Sequence, residues 1–316
     1  MIAILCPGQG SQTPGFLAPW LELPGVGQRL AGYSDAAGVD LAAHGTTSDA
    51  ETIKDTAVAQ PLIVAAGLVA AHALFDGGGS AASDGGGSAL LDGASVVAGH
   101  SVGEITAAAL AGALSERDAL LFVRERANNM AAAAAAAPTG MSAVVGGDPA
   151  EVLDAIEAAG LTPANMNSAG QTVAAGTLDQ LRALADNPPA KARVIPLQVA
   201  GAFHTRHMAP AVSALEALRP TLAPRNPALT LLSNYDGQSV SSGEEMLSSL
   251  IAQVSRPVRW DKCMETMLAM GVTGVIELAP AGTLAGLAKR GMPGVATVAV
   301  KTPADLDAAR ELLRAG

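Results

Sequence analysis

The chain has few aromatic residues, few charges and almost no cysteine. Aromatics make up 3% of its 316 residues and charged residues 15%, against 49% hydrophobic. A chain so apolar is not a mostly disordered one, and its length suffices to bury a sizeable core in one large domain or two modest ones. Basic residues are outnumbered by acidic ones, 19 to 29, for a net charge of −10. Nucleic acid is therefore not expected as a main partner, because binding a phosphate backbone needs a basic surface. Two cysteines, Cys6 and Cys263, supply neither a disulfide framework nor a zinc site. Cys6 sits in an apolar run and reads as a small hydrophobe. The N-terminus lacks a basic n-region, so no signal peptide is expected.

Long apolar runs are also scarce. The stretch at 57–75, AVAQPLIVAAGLVAAHALF, is long enough to span a bilayer, but Gln60, Pro61, Gly67 and His72 interrupt it. It reads as a buried core helix starting near Pro61. The first glycine-rich turn lacks what a nucleotide site requires. Ile2 to Cys6 read as a buried strand that ends in Pro7-Gly8-Gln9-Gly10-Ser11-Gln12. A dinucleotide fingerprint would need glycine where Thr13 stands, and a P-loop would need a Gly-Lys-Ser/Thr that is not there. The glycines still imply a close approach of backbone to something.

What is present follows an α/β order. Residues 77–88, GGGSAASDGGGS, form a loop by composition. A strand is expected at 95–98, a helix at 103–114, and a second helix from Glu116 to about Met130, N-capped by Ser115 with Asp118 at the capping-box position. From 139 the pattern becomes strand 141–145, helix 149–159, strands 161–167 and 171–175, helix 177–185 and strand 192–199. That βαββαβ order is the ferredoxin-like unit. Helices at 206–218, 244–252, 260–270 and 282–290 then alternate with strands at 229–233, 274–278 and 295–300. The expected organisation is an α/β body over 1–138 and 196–316 with a ferredoxin-like subdomain inserted at 139–195.

Gly99-His100-Ser101-Val102-Gly103 matches G-x-S-x-G between an expected strand and an expected helix. That is the context of a nucleophile elbow, the alternative being a glycine-rich packing turn. Its helix N-terminus offers the Val102 N–H to a developing oxyanion. Of five histidines, His204 in Ala202-Phe203-His204-Thr205 stands at a strand-to-helix junction, where a sheet presents catalytic groups, and is the expected base. His44 and His72 read as structural, His100 as unable to turn back onto the serine, and His207 as solvated or a cap. No acid falls at an obvious strand end between Ser101 and His204, so a dyad is expected, its imidazole N–H held by a backbone carbonyl. Arg126 shares a helix stripe with Ala119, Phe122, Val123, Ala127 and Met130. A buried arginine needs an anion, supplied either by an internal salt bridge or by a substrate carboxylate gripped bidentately.

Taken together, PGQGSQ, GHSVGE, the Arg126 helix, NMNSAGQTVAAG, GAFH, and Gln253 with RPVRW resemble the malonyl-CoA:acyl carrier protein transacylases of bacterial fatty acid synthesis, the actinobacterial members above all. The resemblance runs over nearly the whole chain. It implies an α/β-hydrolase-like large subdomain with the ferredoxin-like insert, and a site in the cleft between them. It assigns Ser101 as nucleophile, His204 as base, and Arg126 as the carboxylate anchor, with Ala127 where the family usually has glycine. The Gln9 and Val102 amides would form the oxyanion hole, and the Gln253 carbonyl would orient His204. Phe203, beside His204, resembles the residue of malonyl-selective members that excludes an α-methyl group. The implied partners are malonyl-CoA and a phosphopantetheine-bearing acyl carrier protein, with Arg206, Lys289 and Arg290 as candidates for its docking. No cofactor, metal or membrane is implied, and the enzyme would be a cytoplasmic monomer. A serine thioesterase or esterase shares the elbow without needing Arg126. A non-catalytic carrier-binding module would need neither Ser101 nor His204. Whether the chain would serve fatty acid synthesis, polyketide synthesis or both is open.

Overall fold

The computed structural model describes residues 1–75, 91 and 93–316. The loop expected at 77–88 lies outside the described residues.

Strand β1, Ile2–Cys6, is buried along its whole length, as a strand covered on both faces must be. Three short helices follow it: α1 Ala18–Leu21, α2 Val26–Ala37 and α3 Leu41–Thr46. Helix α4, Thr56–Phe75, starts five residues before the expected Pro61. Asp55 accounts for the difference, because its carboxylate accepts from the Ala57 N–H at 2.8 Å and opens the helix earlier. Pro61 then falls in the second turn, where its missing donor costs one bond to Ala57. This helix has the length and apolarity to cross a membrane, yet 83% of that window is buried inside the protein. At Gly67 a Cβ would stand 2.8 Å from the Thr106 methyl group, which shows how closely the next helix packs.

Strand β2, Ala94–Gly99, runs directly into the Ser101 turn and helix α5, Gly103–Leu110. The helix stops four residues short of the expected end because Gly112, at φ 74°, turns the chain. Helix α6, Glu116–Ala135, begins where Ser115 Oγ accepts from the Asp118 N–H at 3.0 Å, and runs on through the alanine stretch.

The next segment holds strand β3 Thr139–Gly146, helix α7 Pro149–Ala158, strands β4 Thr162–Ser168 and β5 Gln171–Thr177, helix α8 Leu178–Asp186 and strand β6 Ala192–Pro196. Asp148 caps α7, and a Thr177–Gln180 capping box opens α8. All pairings in this four-stranded sheet are antiparallel, in the order β4-β5-β3-β6.

Helix α9 Ala209–Leu218, strand β7 Thr230–Leu232, helices α10 Gly243–Gln253 and α11 Trp260–Ala269, strand β8 Gly274–Glu277, helix α12 Thr283–Gly291, strand β9 Ala296–Ala299 and helix α13 Leu306–Ala315 complete the chain. Strands β7-β2-β1-β8-β9 form a second sheet, parallel throughout. The fold is thus α/β, with helices packed on a parallel sheet and the antiparallel unit drawn from one contiguous stretch. The antiparallel sheet is tied at β4 to the segment between α10 and α11. Met166 N–H donates to the Val258 carbonyl at 2.9 Å, and Val258 N–H to the Ala164 carbonyl at 2.9 Å.

Candidate active site

Parallel pairing decides where the site lies. β1 and β2 are neighbours, with Cys6 opposite Gly99, so the turns after their carboxyl ends stand side by side. His100 N–H donates to the Cys6 carbonyl at 3.0 Å. A Cβ at Gly8 would come within 2.8 Å of the His100 carbonyl oxygen. The glycine-rich turn holding Gln9 is therefore pressed against the Ser101 turn, and the close approach its glycines require is backbone on backbone. The Gln12 side chain donates to the Ile53 carbonyl at 2.9 Å, and that of Gln9 to the Lys54 carbonyl at 3.4 Å.

Ser101 stands at φ 53°, in the left-handed region. Gly99 and Gly103 make the turn possible. A Cβ on Gly99 would lie 2.1 Å from the Gly103 carbonyl carbon, and one on Gly103 would lie 2.1 Å from the Cys6 carbonyl oxygen. The Glu104 N–H donates to the Ser101 carbonyl at 3.0 Å and the Gly103 N–H to that of His100 at 3.0 Å. Val102 N–H precedes these first helical bonds, at the positive end of α5.

His204, also at positive φ, 61°, is only 3% exposed. Its Nε2 lies 2.7 Å from Ser101 Oγ, and its Nδ1 lies 2.8 Å from the Gln253 carbonyl oxygen. The carbonyl can only accept, so Nδ1 carries the proton and Nε2 is left to accept from the serine. Burial first, and then the nearby Arg126 charge, push the imidazole down to about 3, which keeps it neutral at physiological pH with the Nε2 lone pair free to accept. His204 sits on the loop after β6, which leaves its sheet at Pro196, short of the expected Val199. The adjacent Phe203 is buried in the main core.

Arg126, on α6, is 1% exposed. Its Nη1 donates to Gln60 Oε1 at 2.6 Å, and its Nη2 to Gln253 Oε1 at 2.9 Å and Ser101 Oγ at 3.2 Å. None of these partners is a carboxylate, and its buried Nε has no partner. Burial lowers the guanidinium to about 9, and it remains a cation at neutral pH. The structure thus brings Ser101, His204, Arg126 and Gln253 into one hydrogen-bonded cluster, with the Gln9 turn alongside and Val102 next in the chain. His100 faces away from the serine. Its Nε2 pairs with Asn167 Oδ1 of β4 at 2.8 Å, joining the elbow to the antiparallel sheet.

Three side chains in the cluster were not singled out from the sequence. Gln60 holds Arg126 from α4. Asn234, just past β7, accepts from the Ser101 N–H at 2.8 Å and donates to the Gly99 carbonyl at 2.7 Å, bracing the elbow from behind. Its signal is its place, two residues past the end of β7 in a parallel sheet. Glu104 is 2% exposed and hydrogen-bonds to Gln253 and to the Asn234 N–H, and burial pushes its carboxyl up to about 7. The other three histidines stand elsewhere: His72 pairs with Glu116 at 2.6 Å, His44 with Ser48 at 2.9 Å, and His207 is half-buried in a short turn, its N–H donating to Thr205 Oγ1 at 3.2 Å.

Residues 4–306 match the acyl transferase domain family. A malonyl CoA-acyl carrier protein transacylase of Mycobacterium tuberculosis is 52% identical over 308 residues, which is 97% of this chain and 98% of that protein. The crystal structure of MCAT from Mycobacterium tuberculosis superposes with a TM-score of 0.92 at 51% identity, over 98% of this chain and 99% of that one. A structure of a type II PKS acyl-carrier protein in complex with its malonyl-transacylase matches with a TM-score of 0.89 at 30% identity, over 98% and 99%.

Proposed function

The chain belongs to the malonyl CoA-acyl carrier protein transacylases, within the acyl transferase domain family, and we propose that it carries a malonyl group from malonyl-CoA to the phosphopantetheine thiol of an acyl carrier protein through an ester on Ser101. The observation that carries this reading is the shared position of Ser101 Oγ. It lies 2.7 Å from the His204 base and 3.2 Å from a buried Arg126 that hydrogen-bonds to no carboxylate among the described residues. A nucleophile and a cation with no hydrogen-bonded carboxylate at this separation suit an acyl group whose far end is anionic.

In the first half-reaction, His204 Nε2 takes the Ser101 proton as Oγ attacks the thioester carbon. The Gln9 and Val102 N–H groups hold the developing oxyanion. The Gln253 carbonyl stabilises the imidazolium through Nδ1. Collapse breaks the carbon–sulfur bond, and His204 returns the proton to the departing coenzyme A thiolate. In the second half-reaction the carrier thiol attacks the malonyl-serine ester, His204 takes the thiol proton, and the serine leaves with a proton returned from His204. Arg126 grips the free carboxylate throughout, and that anion also offsets the cationic charge that depresses His204. The insert at 139–195 forms the second wall of the cleft, and Arg206, Lys289 and Arg290, all exposed, offer positive charge to an acidic carrier protein. The product supplies fatty acid synthesis and, where a polyketide carrier is present, polyketide synthesis. The enzyme acts as a cytoplasmic monomer.

The test is to incubate the protein with isotopically labelled malonyl-CoA, locate the label by peptide mass, and then add holo carrier protein. The expected result is one malonyl group on the Ser101 peptide, followed by its appearance on the carrier. Release of free malonate with no transfer would assign a thioesterase instead, and no label would assign a binding module. Malonylation of that peptide in Ser101→Ala would overturn the choice of nucleophile.

A further inference from the structure

The mechanism gives Glu104 no task, yet it sits at the back of the cluster. It lies in the first turn of α5, three residues after the nucleophile, and is 2% exposed. One carboxyl oxygen accepts from the Asn234 backbone N–H at 3.3 Å, and the other from the Gln253 side-chain NH2. That NH2 also donates to the Ser101 carbonyl at 3.2 Å and reaches Asn234 Oδ1 at 3.3 Å. An amide has one acceptor end and one donor end. With its donor end surrounded by these acceptors, Gln253 must present Oε1 to Arg126, where it accepts from Nη2 at 2.9 Å. A flipped amide would set donor against donor at the guanidinium. Gln60 Oε1 holds the other terminal nitrogen, so the two glutamine oxygens together set the tilt of the arginine.

We infer that Glu104 is the positioning residue of the arginine subsite: by accepting on both oxygens it locks the Gln253 amide, aims Arg126 at Ser101, and so sets the preference for acyl groups that end in a carboxylate. This rests on the malonyl-transfer reading above. The role needs a carboxylate, and the Gln253 and Asn234 donors and the Arg126 charge favour that form against the burial that opposes it. An amide at position 104 must turn its NH2 toward one of two donors, the Asn234 N–H or the Gln253 NH2. Either choice breaks a bond or reverses Gln253. Glu104 touches neither substrate nor the reacting atoms in this arrangement; its hydrogen bonds reach Arg126 through the Gln253 side chain, and its charge adds a direct attraction on the guanidinium. The Gln253 backbone carbonyl, which orients His204, is a separate group.

The experiment measures the rate of acyl-enzyme formation with malonyl-CoA and with acetyl-CoA in the wild type, Glu104→Gln, Gln253→Met and the double variant. Failure of the wild type to form a malonyl ester would strike the activity reading itself, and is seen before any variant is judged. Glu104→Gln is expected to lower the malonyl-to-acetyl ratio of kcat/KM about tenfold or more, mainly through KM for malonyl-CoA. The double variant is expected to have the same ratio as Gln253→Met alone, because both changes act on one contact. An unchanged ratio, an equal loss with both substrates, or independent multiplication of the two effects would overturn the inference. If Glu104→Gln does not fold, Gln253→Met decides: a ratio as high as the wild type's would show that the side chain Glu104 works through does not aim the arginine.

Discussion

Ser101 and His204 both stand in the left-handed backbone region, but different forces hold them there. At Ser101 the first support is local and steric, with the Asn234 side chain bracing the turn from behind. The turn joins a strand to a helix within four residues, and its two glycines leave no room for a Cβ against Gly103 and Cys6. At His204 the support is distant and polar. Its N–H donates to the Val254 carbonyl at 3.1 Å, its ring to that of Gln253, and the preceding Ala202 N–H to Thr139 Oγ1 at 3.1 Å. Ser101 is thus set mainly by close packing at the centre of a sheet, and His204 by hydrogen bonds from the end of α10 and the start of β3. Strain at a site persists only where its surroundings over-determine it, and here two kinds of surroundings do so.

The sharpest break in that comparison is Gly103→Ala. The added methyl would lie 2.1 Å from the Cys6 carbonyl oxygen and 2.6 Å from that of Pro7, both backbone atoms in the central strand or its turn. Neither can move without parting β1 from β2. A loss of about 3 kcal/mol or more is expected, at the upper end of overpacking effects, read as a lower denaturant midpoint at constant m-value. Gly32→Ala in α2 is the control. Its Cβ would meet nothing within 4 Å, and it should be neutral or stabilising by about 1 kcal/mol. Equal effects at the two positions would remove the steric account of the elbow.

Next in size is Arg126→Ala, which leaves both backbones intact and removes the cation between them. Two charge-assisted bonds to a malonyl carboxylate are each worth about 1.5–3 kcal/mol. Malonyl transfer should therefore fall about a hundredfold or more, while acetyl transfer should fall far less. The same variant tests the electrostatics at His204. Arg126 is the second cause, after burial, of the depressed imidazole. Removing it should move the His204 titration up from about 3 toward the ordinary histidine range, followed by NMR of the ring nitrogens. An equal loss for both acyl groups with an unmoved titration would return Arg126 to a purely structural role.

The sequence carried these two regions unequally. The elbow could be read because strand, glycines, serine and helix lie within a dozen residues, and each constrains the next. The Arg126 stripe could be read because helical periodicity places every member on one face. Asn234 and Glu104 could not be read with a role, because their meaning arises only when β7, α5 and the end of α10 converge across more than a hundred residues. The start of α4 departs from the sequence expectation for a local reason. Proline favours the first helical position, but an Asp55 oxygen caps the helix before Pro61 is reached. The alternation of strands and helices could be read along most of the chain, whereas the order of strands within each sheet is a tertiary result that no periodicity encodes.

The smallest expected effect concerns the ring beside the base. Phe203 is 6% exposed and packs in the main core, and its N–H donates to the Gly201 carbonyl at 3.0 Å. Its backbone is continuous with that of His204, so a side chain fixed at 203 limits the space next to the imidazole. An α-methyl on the acyl group would compete for that space. Phe203→Ser should therefore raise methylmalonyl transfer relative to malonyl transfer, by about 1–3 kcal/mol at most for one methyl group. The measurement is competition between the two thioesters for one acyl-enzyme, with intact mass resolving the 14 Da difference, about the mass of one methylene. The serine also removes core packing, so a thermal melt must show that the variant is folded at the assay temperature. With folding retained, a shift in the product ratio would show that steric support at His204 extends to the substrate. A constant ratio would confine Phe203 to the core and leave the His204 loop held by its hydrogen bonds alone.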